Sequence, residues 1–574
     1  MIDTKYEEYS NERKRLQSIG EAPEWLSTAG YQLLMDKNYL KQWETPRGSY
    51  ERLATRAAEL TSKNVDPNEF GYETWYEAFY AVLWNGWLSP STPVLTNLGT
   101  DKGHPVSCSG SYPEDSIRGF YETRMELAQL TQRGYGTSVV LDHIRHRGAP
   151  ISKGGKASGV TQLLKGVVRD MQEVSQGSSR RGSCGQYLDV MHPDFDEVCE
   201  QLLADDEGLN IGWTMTDAYK ELFSSNPERA DNIWRKTLKT KMVKGKGYFW
   251  FKDKVNRHRP QMYQDKGLLV HNSNICAEIN LFNDKDHTFT CVLSSVNVSK
   301  YDEWKDTKLL QISAIFLDAV ISDMLEKAKT EVGFEKVIAF TEKSRAIGLG
   351  VLGVSTYYQK NSWVFGGLQS RMFNTKFFKE MQSETLLASQ YMAKAVGEPE
   401  WLEGYGERWS HRTALPPTMS TSILQGGVSL GIEPVFANVY VHDTAGGAVY
   451  RVNPPFLQLM KNRAQYSEET MTRIATNNGS VQDEIWLTTE EKAVFRTAFE
   501  IRQDDILEMA SARQPFLCQG QSVNLFFDNS TTEQEISRVH NIAFEDEYIF
   551  SLYYIRSLNG VSKHKVTECS VCEG

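Results

Sequence analysis

Residues Asn274-Ile275-Cys276-Ala277-Glu278, inside the stretch Asn272–Asn280, place an amide, a thiol and a carboxylate at alternate positions. In an extended segment such positions project to one side, because the side-chain period of a strand is two. A triplet of this kind could bind a diol, abstract from it and move its protons. Taken alone, the pentapeptide fits a buried structural cysteine beside solvated polar residues at least as well. The deciding signals lie elsewhere in the chain.

The eight cysteines fall at 108, 184, 199, 276, 291, 518, 569 and 572 of 574 residues. That density is too low for a disulfide scaffold. The last two form Cys569-Ser570-Val571-Cys572. Zinc sites usually need four ligands, and no second CxxC lies nearby. A redox dithiol on a tail is one reading, since exchange needs two close thiols and access to a partner. A tail without function is the other.

Hydrophobic residues make up 40% and charged residues 24%, an ordinary globular balance. With 63 Lys and Arg against 74 Asp and Glu, the net charge of −11 argues against a protein that coats nucleic acid. No run approaches the ~18 apolar residues that cross a bilayer, and Met1–Arg15 is charged without an apolar signal core. The chain therefore reads as soluble and cytoplasmic, with no membrane partner.

The first ~85 residues predict helices, closing on Trp75, Phe79, Val82, Leu83, Trp84 and Trp87. A turn-rich stretch from Ser89 to Gly103 follows. Asp115 or Ser116 is placed to cap a helix carrying Ile117, Phe120, Tyr121 and Leu127. Leu309–Leu325 predicts an amphipathic helix, and Thr137–Leu141, Val435–Val441 and Ser522–Phe526 are short apolar runs. Short strands among long helices predict an α/β fold. Ser175–Gly185 and Pro416–Ser422 read as loops, and Val561–Gly574 as a mobile tail.

In this order, Ser107-Cys108, the Ser175–Gly185 loop, Asn274-x-Cys276-x-Glu278, Cys291-Val292-Leu293-Ser294, Pro417–Ser422 leading to Gly431-Ile432-Glu433-Pro434, Tyr553-Tyr554 and the terminal cysteine pair occur along one chain. Each is weak alone; the ordered set resembles the large, catalytic (α) subunit of class I ribonucleotide reductase from about Ser89 to the C-terminus. The resemblance implies a ten-stranded α/β barrel with a central finger loop, preceded by a helical N-terminal domain. The expected division is 1–90 for the helical domain, 91–558 for the barrel and 559–574 for a flexible redox tail.

The resemblance also implies roles. Cys276 is the thiyl-radical cysteine, Glu278 the base for the ribose 3′-hydroxyl, and Asn274 the partner of the ribose hydroxyls. Cys108 and Cys291 supply two electrons and become a disulfide. Cys569 and Cys572 re-reduce it from a thioredoxin- or glutaredoxin-like donor. Cys184, Cys199 and Cys518 read as structural.

Thr92, Ser107, Thr418, Ser420, Thr421 and Ser422 match substrate-binding positions, although Pro-Thr-Met-Ser-Thr-Ser departs from the usual family spelling at its centre. Tyr553 and Tyr554 match a relay that carries a radical from a separate small (β) subunit. The metal and radical cofactor then belong to that partner, and this chain binds no metal. Cobalamin-dependent class II enzymes have no use for the relay; they are the alternative. Asp115, Arg145, Arg180 and Arg181 match positions for a dNTP or ATP effector at a homodimer interface. Only 91 residues precede Thr92, which leaves no room for an N-terminal ATP cone. The chain resembles the pared-down forms that compact viral or bacterial genomes encode.

Overall fold

The computed structural model describes residues 4–152, 154–176, 180–204, 208–444 and 447–558. Its centre is a closed ring of ten strands. The first half contains β1 (Cys108–Gly110), β2 (Thr137–Val140), β3 (Cys184–Asp189), β4 (Asn210–Met215) and β5 (Tyr248–Phe251). β2 to β5 are parallel in succession. Parallel bridges Cys108↔Gly136 and Ser111↔Val139 add β1. The second half contains β6 (Phe289–Asn297), β7 (Ile347–Leu352), the bridging segment 413–415 as β8, residues 521–527 as β9 and residues 551–557 as β10. β7 is parallel to β6. The bridges Leu349↔Thr413 and Leu415↔Gln521 lead on to β8 and β9, and Leu525↔Ile555 joins β9 to β10.

The two halves meet antiparallel at both seams. Cys108↔Cys291 joins β1 to β6, and Ser551↔Trp250 joins β10 to β5. The α/β barrel implied by the sequence is therefore present. Parallel neighbours require crossovers, supplied by helices such as Val160–Glu173, Phe195–Ala204 and Pro227–Lys244.

The N-terminal region is helical, as read from its periodicity. Ser27 and Thr45 cap the helices Thr28–Asp36 and Pro46–Leu60, and Thr74 forms a capping box with Glu77 at the start of Trp75–Trp84. Phe79 packs edge-on against Phe316, and Arg56 donates to the buried Asp323 at 2.7 Å. These contacts fix the helical region on the barrel.

Three local expectations need correction. Leu309–Ala328 is not amphipathic: seventeen of its twenty residues are buried, because the N-terminal helices cover its outer face. The stretch after Ser89 is not all turn, since Leu88–Pro90 pairs with β6 and Thr92–Asn97 is helical. Ser175–Gly185 is not one loop: Ser175–Gln176 pairs with Arg180–Arg181, and Cys184 begins β3. At Asp115 or Ser116, the cap is Ser116, which accepts from Gly119 N.

The buried helix carries charge only where it is neutralised. Asp318 accepts from Arg345 Nε and Trp409 Nε1, each at 2.8 Å, with Arg408 Nε at 3.5 Å. Burial opposes the charge, yet the arginines hold the Asp318 carboxyl below its usual range. Its stabilising contribution is therefore present above the ordinary carboxylate range and lost as pH falls through the depressed value. Asp318→Ala leaves Arg345 buried without its carboxylate, and the expected cost is about 3–5 kcal/mol. The check is the midpoint of urea unfolding against the wild-type chain.

Candidate active site

Residues 270–283 join the two half-barrels and have no regular secondary structure, yet nearly all of them are buried. This segment is the finger loop. A Cβ on Gly185 of β3 would lie 3.0 Å from Ile275 Cα, so a side chain in the barrel wall there would crowd the loop that presses against it. At its tip Ala277 N donates to Asn274 O at 3.2 Å, closing a turn with Cys276 at the apex. Ala277 follows with φ of 65°, a left-handed conformation uncommon for a residue with a Cβ.

The extended reading of 274–278 is thus wrong in its geometry. Asn274 folds back: its Oδ1 accepts from Glu278 N at 3.0 Å and Ile279 N at 3.1 Å, and its Nδ2 donates to Cys108 Sγ at 3.1 Å. The carboxamide does what a strand ladder would otherwise do, and so permits a turn. The three side chains still share one site.

Cys108 and Cys291 face each other across the β1–β6 seam. Directly opposed residues on an antiparallel pair place Cβ atoms about 4.5–5.5 Å apart, close to the span of a disulfide. Both cysteines are unbridged and buried. Burial pushes the Cys291 thiol up to about 12. Glu278 is buried, its Oε2 has no hydrogen-bond partner, and desolvation raises its carboxyl to about 8. A carboxyl in that range can hold or release a proton near neutrality.

Cys276 packs in one cluster with Ile275, Tyr248 and Tyr553, with Tyr554 against it. The Tyr553 and Tyr554 rings are 4.0 Å apart. Tyr248 is 4.6 Å from Tyr553 and 5.5 Å from Tyr554. Tyr553 is buried and Tyr554 half-buried, so the aromatic group runs from the cysteine towards the surface.

The hydroxyl-bearing positions form two groups. Ser107 Oγ donates to Ser91 Oγ at 3.0 Å, and Ser107 N to Cys291 O at 3.3 Å. Ser91 occupies the N-cap position of Thr92–Asn97, so Thr92 is the next residue along the chain. Thr418 occupies the N-cap position of the short helix Met419–Leu424 without a side-chain capping bond. Its Oγ1 contacts Ser422 Oγ at 2.8 Å and accepts from Gly431 N at 2.7 Å. Thr421 Oγ1 donates to Thr418 O at 3.2 Å. Ser420 takes no part in these bonds.

Asp115 and Arg145 are brought together: Arg145 Nε donates to Asp115 Oδ2 at 2.7 Å, and Nη2 to Asp115 O at 3.1 Å. Arg180 and Arg181 form one arm of the two-stranded hairpin described above. Cys569 and Cys572 lie outside the described residues. Cys184 and Cys199 are buried, and desolvation pushes both thiols up to about 12. Among the described residues no group of three or more His, Cys, Asp or Glu could hold a metal ion, and no helix is long and apolar enough to cross a membrane.

Sequence reasoning missed Tyr248, Tyr187 and Gln519. Tyr187 donates its hydroxyl to Asn274 O at 2.5 Å. Gln519 Nε2 reaches Cys291 Sγ at 3.7 Å. A signal for Tyr248 was present in Tyr248-Phe249-Trp250-Phe251. Alternation along β5 sends Tyr248 and Trp250 inward, where Trp250 Nε1 donates to Asn280 Oδ1 at 2.9 Å. Phe249 and Phe251 face Trp234 and Phe544 outside.

Comparisons with known proteins agree with this arrangement. The sequence matches the ribonucleotide reductase barrel domain over residues 106–205, 201–404 and 399–554, and the ribonucleotide reductase all-alpha domain over 24–103. It is 32% identical over 522 residues to the ribonucleoside-diphosphate reductase large subunit assigned to Frog virus 3, covering 85% of this chain and 91% of that one. A vitamin B12-dependent ribonucleoside-diphosphate reductase of Mycobacterium tuberculosis is 27% identical, over 91% of this chain and 78% of the relative. The solved class Id ribonucleotide reductase alpha subunit of Actinobacillus ureae superimposes with a TM-score of 0.83 at 33% identity, covering 93% of this chain and 97% of that one. With a finger-loop cysteine, a facing thiol pair and a buried carboxyl inside a matching ten-stranded barrel, the chain belongs to the ribonucleotide reductase family, as a large subunit that reduces ribonucleotides.

Proposed function

We propose that the chain reduces ribonucleoside diphosphates by thiyl-radical chemistry, as the α subunit of a class I enzyme. The observation that carries the class is the aromatic group Tyr554–Tyr553–Tyr248 against Cys276. A radical generated in a separate small subunit would enter at Tyr554, pass to Tyr553 and take a hydrogen atom from Cys276. The radical and metal cofactor would belong to that subunit, and this chain would supply the path. The diphosphate substrate is taken from the names of the relatives.

Each side chain then has a defined task. The Cys276 thiyl takes the ribose 3′-hydrogen and later returns it. Ionised Glu278 accepts the 3′-hydroxyl proton, which eases loss of the 2′-hydroxyl as water. Asn274 turns its carboxamide to the ribose hydroxyls. Cys108 and Cys291 give two electrons and two protons and close to a disulfide. Cys569 and Cys572 reopen it by exchange and hand the oxidation to a thioredoxin- or glutaredoxin-like donor. Thr418 and Ser422 shape the phosphate seat, while Ser420, Thr421 and backbone N–H groups of 418–421 face the phosphates; Thr92 and Ser107 hold the sugar side.

Effector control is proposed at Asp115 and Arg145, with the Arg180–Arg181 hairpin as the link to the base. A dNTP or ATP would take its ribose on Asp115 and its phosphates on Arg145, replacing their ion pair. Ile117, Tyr121 and Met125 are all exposed, at spacing four on the helix Ile117–Gln132 that follows Asp115. An unpaired apolar stripe of this kind suits a second copy of the chain.

Three outcomes follow. Tyr553→Phe or Tyr554→Phe should abolish deoxynucleotide formation with a metal-loaded small subunit while leaving nucleotide binding intact. Full activity with adenosylcobalamin alone would instead favour the class II reading that the B12-dependent relatives raise. Glu278 works as a base only when ionised, so kcat/KM should rise with pH through about 8. Glu278→Gln should cost roughly 10²–10⁴ in kcat and remove that rise. Finally, Tyr121→Glu should shift sedimentation to the monomer and abolish the dNTP effect on substrate choice.

A further inference from the structure

Each of the two facing thiols accepts from a carboxamide. For Cys108 it is Asn274 Nδ2, on the finger loop. For Cys291 it is Gln519 Nε2, on the segment that enters β9. Gln519 is buried, and both ends of its amide are used. Its Nε2 also donates to Ile347 O at 3.3 Å, and its Oε1 accepts from Asn280 N at 3.2 Å. Beside it, Gly520 N donates to Glu278 O at 2.7 Å. A Cβ at Gly520 would lie 2.8 Å from Asn280 Nδ2. Residues 519–520 therefore clamp the return arm of the finger loop while one amide rests on a redox thiol.

We propose that Gln519 is a positioning residue for re-reduction of the Cys108–Cys291 disulfide: it holds Cys291 as the leaving sulfur, so that an incoming thiolate attacks Cys108. This rests on the reading of Cys108 and Cys291 as the reducing pair. Access separates the two residues, for Cys108 retains 5% exposure and Cys291 none. An external dithiol thiolate attacks Cys108 Sγ, and a new S–S bond forms as the Cys108–Cys291 bond breaks. The electron pair leaves on Cys291 Sγ, which accepts the Gln519 N–H and then a proton. The second external thiolate displaces Cys108 from the mixed disulfide. The dithiol is oxidised by two electrons and the protein pair is reduced by two. A hydrogen bond to the thiolate lowers the leaving-group pKa, which speeds exchange. Gln521 Nε2 donates to Gln514 Oε1 at 2.9 Å, and Gln514 Nε2 to Gln519 O at 2.7 Å, which fixes the Gln519 backbone.

The experiment uses the full chain after substrate turnover without reductant. The oxidised protein is treated with 2-mercaptoethanol while N-ethylmaleimide traps the released thiol, and each cysteine is read by peptide mass spectrometry. The mercaptoethanol adduct should sit on Cys108 and the maleimide on Cys291. Reduction by dithiothreitol should slow about tenfold or more in Gln519→Leu, the loss of one hydrogen bond to a charged group. Gln519→Glu keeps the shape and still accepts from Asn280 N, but its carboxylate cannot donate to Cys291; it should be slowed likewise. Wild-type reduction rates in both variants, or a mercaptoethanol adduct on Cys291 of the wild-type chain, would overturn the proposal. Absence of a linked Cys108–Cys291 peptide after turnover would instead remove the reducing-pair reading, and this proposal with it.

Discussion

A run of irregular backbone through the middle of a barrel is the constraint on which the rest depends. The finger loop is buried from Asn272 to Asn283, where water cannot satisfy its N–H and C=O groups and no ladder does. Side chains take that place. Asn274 Oδ1 receives two loop N–H groups, Ser273 Oγ donates to Ile279 O at 2.7 Å, Tyr187 donates to Asn274 O, and Gln519 and Gly520 pair with Asn280 and Glu278. Asn283 Nδ2 ties the loop to Asn272 Oδ1 at 2.8 Å. Most of the polar residues in this stretch are thus explained twice, by the loop's hydrogen bonds and by the chemistry at its tip.

Closure of the ring sets the second condition. Two parallel half-sheets that run in opposite directions close into one barrel through two antiparallel seams. The seam between β1 and β6 puts Cys108 opposite Cys291. Residues 183 positions apart thereby become neighbours without any local signal linking them. The other seam, between β5 and β10, brings Trp250 beside Ser551 and so sets Tyr248 against Tyr553. The thiol pair and the tyrosine group are consequences of the two joints of one architecture, and the finger loop runs between them.

Periodicity and punctuation made the helical N-terminus and the α/β class legible, because caps such as Thr74 with Glu77 and runs such as Thr137–Val140 act locally. The barrel and the names of its central residues became legible through the ordered motifs, from Ser107-Cys108 to Tyr553-Tyr554. The burial of Leu309–Ala328 is not legible locally, because it depends on what packs against the helix from distant segments, and its Asp318 and Asp323 resemble a polar face until they meet Arg345 and Arg56. The turn at 274–277 was hidden for a similar reason: alternating polar residues suggest a strand, and only the folded-back Asn274 amide permits the turn. Gln519 could not be found by spacing, since its partners Cys291, Ile347 and Asn280 come from three distant segments.

Glu278 shows what the chemistry takes from stability. Its carboxyl is raised from an ordinary 4.5 to about 8 by burial, against the opposing hydrogen bonds from its own backbone and Asn274. The folded chain therefore binds that proton more tightly than the unfolded chain, and this residue's contribution to stability declines as pH rises from the ordinary value through about 8. Ionised Glu278, the form able to act as a base, is the form the fold tolerates least. The clamp at Gly520 N→Glu278 O and the Asn274 bond to Glu278 N hold the residue by its backbone, independently of charge. Position is thus secured by groups that do not titrate, which leaves the carboxyl able to gain and lose a proton without releasing the loop that carries Cys276.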